Sequence, residues 1–110
     1  MMYRKQPDRT ARSRLIIHGD LFINLPKYEV RLAGRLIVLT LKEYELLCLL
    51  ASNPGKVFSR ETLLNKVWGY NYFGGARTVD VHITRLRNKI KEDDNYFIET
   101  VRGVGYKFKE

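Results

Sequence analysis

An α+β domain, laid out as a small antiparallel sheet, then three helices, then a closing β-hairpin, is predicted by three observations. Short β-like runs separated by turn residues fill positions 15–38. Helix start signals and 3.6-residue apolar periodicity take over from Thr40. A glycine-containing turn between two further β-like runs closes the chain. The 110 residues, 45% of them apolar, suit one compact domain with a modest core.

Taken in order, residues 1–14 are polar, include Pro7 and carry five Arg or Lys without apolar periodicity, which predicts a flexible basic tail or the remnant of a linker. The domain proper is expected over 15–110. Leu15-Ile-Ile17, Leu21-Phe-Ile23, Tyr28-Glu-Val-Arg-Leu32 and Arg35-Leu-Ile-Val38 read as strands, with turns at Gly19-Asp20, Asn24 to Lys27 and Ala33-Gly34. Such close spacing implies a four-stranded antiparallel sheet. Thr40-Leu-Lys-Glu43 is a capping box, so a first helix should begin near Leu41. Its apolar residues, Leu41, Tyr44, Leu46, Leu47, Cys48, Leu49, Leu50 and Ala51, span most of the circumference and predict a largely buried helix. Asn53-Pro-Gly55 ends it, because proline lacks a backbone donor and disfavours helix in the residue before it.

Ser59 is a suitable N-cap for a second helix, whose stripe of Leu63, Leu64, Val67 and Trp68 closes at Gly69. The segment Gly69-Tyr-Asn-Tyr-Phe-Gly-Gly-Ala76 is unusually aromatic for a connection. Two readings stand: a protein-docking surface, or an aromatic lid on the core. The third helix, Arg77 to Lys91, places Val79, Ile83, Leu86 and Ile90 at i, i+4, i+7 and i+11 on one side. Arg77, Thr78, Val81, Thr84, Arg85 and Asn88 lie on the other. That face offers phosphate-binding cations, hydrogen-bonding groups for base edges and, in Val81, an apolar contact for a thymine methyl. A turn at Glu92-Asp-Asp-Asn95 then leads to a hairpin, Tyr96 to Val101 and Tyr106 to Lys109, around Arg102-Gly-Val-Gly105.

Charge narrows the function classes. Twenty Lys plus Arg against twelve Asp plus Glu give +8, the profile of a partner for nucleic acid or an anionic membrane surface. No apolar run approaches the roughly 20 residues of a bilayer span, and the basic start lacks the apolar segment of a secretory signal, so a cytoplasmic protein is expected. The single cysteine, Cys48, has no disulfide partner and reads as an inert core thiol. No nucleophile–base pair, carboxylate cluster or metal-ligand set is apparent, so neither an enzyme nor a cofactor is expected. The glycines around Val104 lie in a hairpin, not between strand and helix, which argues against a nucleotide-phosphate loop.

Three helices, the third basic, followed by an Arg-Gly hairpin describe a winged helix-turn-helix. Leu39-Thr-Leu-Lys-Glu-Tyr-Glu-Leu-Leu47, Val57-Phe-Ser-Arg60, Val67-Trp-Gly69, Arg77-Thr-Val-Asp-Val-His-Ile83, Arg85-Leu-Arg87 and Thr100-Val-Arg-Gly-Val-Gly-Tyr106 carry a closer likeness. From about Leu15 to Phe108 the chain closely resembles the DNA-binding effector domain of OmpR/PhoB-type bacterial response regulators. The resemblance implies a sequence-specific, double-stranded-DNA-binding transcription regulator of a two-component system. Residues matching Thr78, Val81 and Arg85 then approach base edges in the major groove, and Arg102 reaches the minor groove. Those matching Trp68, Arg77, His82, Arg87, Thr100 and Tyr106 contact the phosphate backbone. Thr84 departs from the pattern, standing where relatives often have arginine. The resemblance further implies a monomer off DNA, head-to-tail binding to direct repeats, an RNA polymerase contact through Tyr70, Asn71, Tyr72 and Phe73, and a receiver domain in the same full-length protein. The competing class is a winged helix used as a protein- or RNA-binding module. His82 as a packed imidazole, and Trp68 and Tyr106 as core residues that also present a polar tip, are the quieter readings of those positions.

Overall fold

The structure, a computed structural model, describes residues 14–92 and 96–110. The expected tail thus lies, apart from Arg14, outside the described residues, as do the last three positions of the turn at 92–95. The chain divides into two units, Met1–Ile37 and Val38–Glu110.

In the first unit, β1 (Leu15–His18), β2 (Leu21–Asn24), β3 (Glu29–Leu32) and β4 (Arg35–Ile37) form an antiparallel sheet in sequence order. Alternation along the strands buries Leu21, Ile23, Val30 and Leu32 and turns Phe22 and Arg31 to the opposite face. The third strand starts one residue later than expected because Tyr28 has φ +53, a left-handed conformation that no strand accepts. Ala33 and Gly34 both have positive φ and join β3 to β4 as a two-residue hairpin loop, the twist that suits paired strands.

The second unit begins with α1 (Leu41–Ala51). Thr40 and Glu43 close the expected capping box reciprocally: Glu43 N donates to Thr40 Oγ1 at 3.2 Å, and Thr40 N to Glu43 Oε1 at 2.9 Å. Burial is less complete than the apolar pattern suggests, since Leu41 is exposed and Cys48 and Leu49 are half-buried. The second helix, α2, is α-helical over Arg60–Leu63 and wound as a π-helix over Leu64–Trp68, ending at Gly69 with φ +99. Ser59 caps it as expected, its hydroxyl accepting from Thr62 N at 3.0 Å. Then α3 (Arg77–Lys89) stops two residues short of the expected end, with Ile90 as its C-cap.

Two strands of the hairpin, here β6 (Ile98–Val101) and β7 (Gly105–Phe108), are joined by a strand the sequence did not predict, β5 (Phe58–Ser59), giving the order β5-β7-β6. Gly105 permits that third strand: any Cβ there would run into the Phe58 carbonyl. The core of this unit gathers Leu46, Leu47 and Leu50 of α1, Leu63 of α2, the predicted α3 stripe of Val79, Ile83, Leu86 and Ile90, and Ile98 and Phe108 of the wing, each no more than 1% exposed. With that stripe buried, the outward side of α3 is determined.

Candidate nucleic-acid interface

On α3, Arg77, Val81, Thr84, Arg85 and Asn88 are exposed and Thr78 is half-buried. Val81 is 41% exposed on a face otherwise made of polar and cationic groups. The helix has no side-chain cap and only one acidic residue, Asp80, near its start. Thr84 turns its hydroxyl onto its own helix, donating to the Asp80 carbonyl at 3.0 Å, so its proton is not presented outward.

Two side-chain clusters flank this face. On one flank the edge of His82 meets the Trp68 ring, with centroids 5.0 Å apart at 75°. His82 Nδ1 lies 2.7 Å from the Thr78 carbonyl oxygen. A carbonyl only accepts, so Nδ1 carries the proton and Nε2 is the nitrogen left for another partner. Lys42 of α1 donates to the Val67 carbonyl at 2.8 Å and stands 5.7 Å from the Trp68 ring centre. Trp68 and His82 are thus packed and half-buried together, as the quieter reading of both positions expects.

On the other flank Arg87 joins the wing. Its Nη2 donates to Thr100 Oγ1 at 2.5 Å, its guanidinium lies 5.3 Å from the centre of the Tyr106 ring, and its Nε is buried without a hydrogen-bond partner. The Tyr106 hydroxyl donates to Asp80 Oδ1 at 2.6 Å, and Arg60 Nε donates to the same oxygen at 2.9 Å. Burial, and then the Asp80 hydrogen bond and charge, push the Tyr106 phenol above its ordinary value near 10. The charge of Asp80, and then its hydrogen bond, likewise raise Arg60.

The expected backbone-contacting residues therefore separate into Trp68 with His82 on one side and Arg87, Thr100 and Tyr106 on the other, with Arg77 at the start of α3. Arg102 is exposed in the three-residue turn between β6 and β7, where Gly103 takes φ +76. In the connection at 69–76, Tyr70 and Phe73 are 85% and 100% exposed, so neither forms a lid. Tyr72 leans toward Trp68, with centroids 6.2 Å apart, and Gly74 leaves room for its ring.

Sequence reasoning missed Asp80, Arg60 and Lys42 beside this surface, and the Glu43–Lys89 pair that lies beneath it. For Asp80 a signal existed: it is the lone carboxylate of a cationic helix. Glu43 is 1% exposed and accepts from Lys89 Nζ at 2.7 Å, tying α1 to the last turn of α3. Burial pushes its carboxyl up, but hydrogen bonds from Lys89 and Thr40 and the Lys89 charge outweigh that and hold it below 4.5. Burial raises the Cys48 thiol above 9.0, in keeping with an inert sulfur. Among the described residues no helix is long and apolar enough to cross a membrane, and no group of three His, Cys, Asp or Glu is arranged to hold a metal.

A family model described as transcriptional regulatory protein, C terminal, matches residues 34–108. The chain belongs to this family of OmpR/PhoB-type regulator domains. It is 55% identical over 107 residues to the transcriptional regulatory protein YclJ of Bacillus subtilis, covering 91% of this chain and 47% of that protein. Among solved structures, the response regulator DrrB of Thermotoga maritima, an OmpR/PhoB homolog, matches with TM-score 0.81 and 40% identity over 88% of this chain and 45% of DrrB. The RstA DNA-binding domain of Klebsiella pneumoniae, solved in complex with the RstA box, matches with TM-score 0.78 and 36% identity, over 87% of this chain and 97% of that one. The chain thus spans about half the length of YclJ and DrrB and nearly all of the isolated RstA domain. For the OmpR/PhoB-type domain, the sheet, three helices and hairpin agree with the winged-helix expectation.

Proposed function

We propose that this chain is a sequence-specific, double-stranded-DNA-binding domain that serves transcription regulation as the output of a two-component response regulator. The observation that carries the reading is the outward side of α3, where Arg77, Thr78, Val81, Arg85 and Asn88 face away from a fully buried stripe, on a chain of net charge +8. A helix of this width fits the major groove, and such a face offers it cationic, hydrogen-bonding and apolar contacts. Thr78, Val81 and Arg85 approach base edges there. Arg77, Trp68, His82, Arg87 and Thr100 hold the phosphate backbone on either side; Tyr106, whose hydroxyl proton goes to Asp80, takes part through the Arg87 guanidinium over its ring. Arg102 at the wing tip enters the minor groove, whose potential attracts a guanidinium. Phosphate contacts supply most of the affinity, and the base contacts supply the preference. That the related RstA domain was solved in complex with the RstA box supports DNA binding by this fold.

In the same reading residues 15–110 act as the DNA-binding unit and 1–14 as its linker to a receiver domain in a longer, cytoplasmic protein. Two copies, each monomeric off DNA, bind direct repeats head-to-tail. The exposed loop of Tyr70, Asn71, Tyr72 and Phe73 meets RNA polymerase; its support is the exposed aromatic surface of this connection between α2 and α3. The test is selection of a random-sequence duplex pool by the purified chain at near-physiological salt. Enrichment of a short motif, arranged as a direct repeat, is the expected result. Retention without enrichment, or no retention, overturns base reading and favours a protein- or RNA-binding winged helix.

A further inference from the structure

Asp80 is the one carboxylate on a helix that, in the reading above, approaches a polyanion. Left bare, it would repel phosphates. It is not bare: one of its oxygens accepts from both Arg60 Nε and the Tyr106 hydroxyl, at 2.9 and 2.6 Å. Those partners sit on different elements, Arg60 at the start of α2 and Tyr106 on β7, so a single oxygen ties the second helix, the third helix and the wing together. Arg87, two turns further along the same flank, stacks over the same tyrosine ring.

Two consequences follow from the hydrogen-bond inventory of these groups. The phenol proton of Tyr106 is committed to Asp80, so toward a phosphate the hydroxyl cannot donate while that bond stands. Arg60, whose side chain is 53% exposed, meets the solvent as half of an ion pair and not as a free cation. Sequence-independent affinity grows with the number of cations that neutralise phosphates, whereas preference grows with base contacts. Withholding a cation therefore lowers binding to any duplex without touching the groups that read bases.

We propose that Asp80 is a positioning residue that sets the specificity of the DNA interface. It holds the wing and the start of α2 in register with α3, and it withholds Arg60 from phosphates that arrive out of register. The proposal rests on the DNA-binding reading, and the two can fail separately.

The test compares wild type with Asp80→Asn, which keeps the shape and removes the charge, on two duplexes: the motif enriched by wild type and a shuffled duplex of equal composition. Affinities are measured across a salt series, after thermal melting has established that both proteins are folded. The variant is expected to bind the shuffled duplex more tightly and to lose specific-to-shuffled preference by about three- to ten-fold. Its log–log salt slope on shuffled DNA should steepen by about 0.9, one phosphate contact. In an Arg60→Met background the same replacement should leave the slope unchanged, because the releasable cation is gone. If Asp80→Asn does not fold, Asp80→Glu carries the test: it keeps the charge but moves the carboxylate relative to Tyr106, and is expected to lower preference without steepening the slope. An unchanged preference and slope, or an equal loss on both duplexes, overturns the positioning role. Failure of wild type to enrich any motif overturns instead the reading beneath it.

Discussion

Replacing Glu43 tests whether the last turn of α3 is held in place by α1. The side chain is 1% exposed, accepts from Lys89 Nζ at 2.7 Å and returns the capping box to Thr40 N at 2.9 Å. Glu43→Ala removes all of this. The lost cap bond is worth about 0.5–1.5 kcal/mol, and the charge-assisted bond to Lys89 about 1.5–3 kcal/mol before discounting. The discount is needed because the Lys89 side chain is 38% exposed and rehydrates when its partner goes. Together with about 0.8 kcal/mol for one buried methylene, a loss of about 2–4 kcal/mol is expected. For a domain of this size that corresponds to a melting-temperature fall of roughly 10–25 °C, readable by circular dichroism and by urea titration. Glu43→Gln keeps the cap acceptor and should cost less, about 1–2 kcal/mol. Because the folded state holds the Glu43 carboxyl below 4.5, its contribution is complete above that pH and is lost as pH falls through the folded value. The stability gap between wild type and Glu43→Gln should therefore narrow on acidification below about 4.5. A gap unchanged from neutral to strongly acidic pH, or a Glu43→Ala cost under about 0.5 kcal/mol, would refute the reasoning.

Three further outcomes are expected. Arg85→Ala should cost about 1–3 kcal/mol on the preferred duplex and relax base preference, whereas Arg77→Ala should weaken all duplexes nearly equally and flatten the salt slope by about 0.9; quantitative gel-shift titration on both duplexes separates them, and identical behaviour would remove Arg85 from base reading. Replacing Tyr72 and Phe73 together with serine should impair transcriptional activation in a reporter assay while leaving duplex affinity intact, and equal loss of both would sink the docking role of the loop. Gly105→Ala should destabilise by about 1–3 kcal/mol or more, since its Cβ meets the rigid Phe58 backbone and not a movable side chain; a melt indistinguishable from wild type would mean that β5 moves aside easily.

Much of the DNA-facing unit is written in short-range chemistry. The Thr40–Glu43 box, the Ser59 cap and the i, i+4, i+7, i+11 stripe of α3 each involve residues at most eleven apart, so a local reading recovers them and with them the side of α3 that faces outward. The wing turn is legible for the same reason. Element ends were less so: Tyr28 looks like strand by composition, and its left-handed φ arises from the turn it closes.

What only the tertiary structure decided lies in pairs that are distant in sequence. Lys89 reaches Glu43 across 46 positions, and Asp80 takes Arg60 from 20 positions before it and Tyr106 from 26 after it. No periodicity encodes these meetings, and a charged residue read alone defaults to solvent. The strand β5 is two residues long, too short for alternation to register, and exists because β7 offers an edge that Gly105 lets it approach. The sequence by itself determined the order of every element but β5, the buried stripe and the cationic outward face, because these follow from local period and composition. The fold decided which carboxylate meets which cation, and so which arginines remain free for DNA, because that depends on elements brought together only by burying their apolar sides.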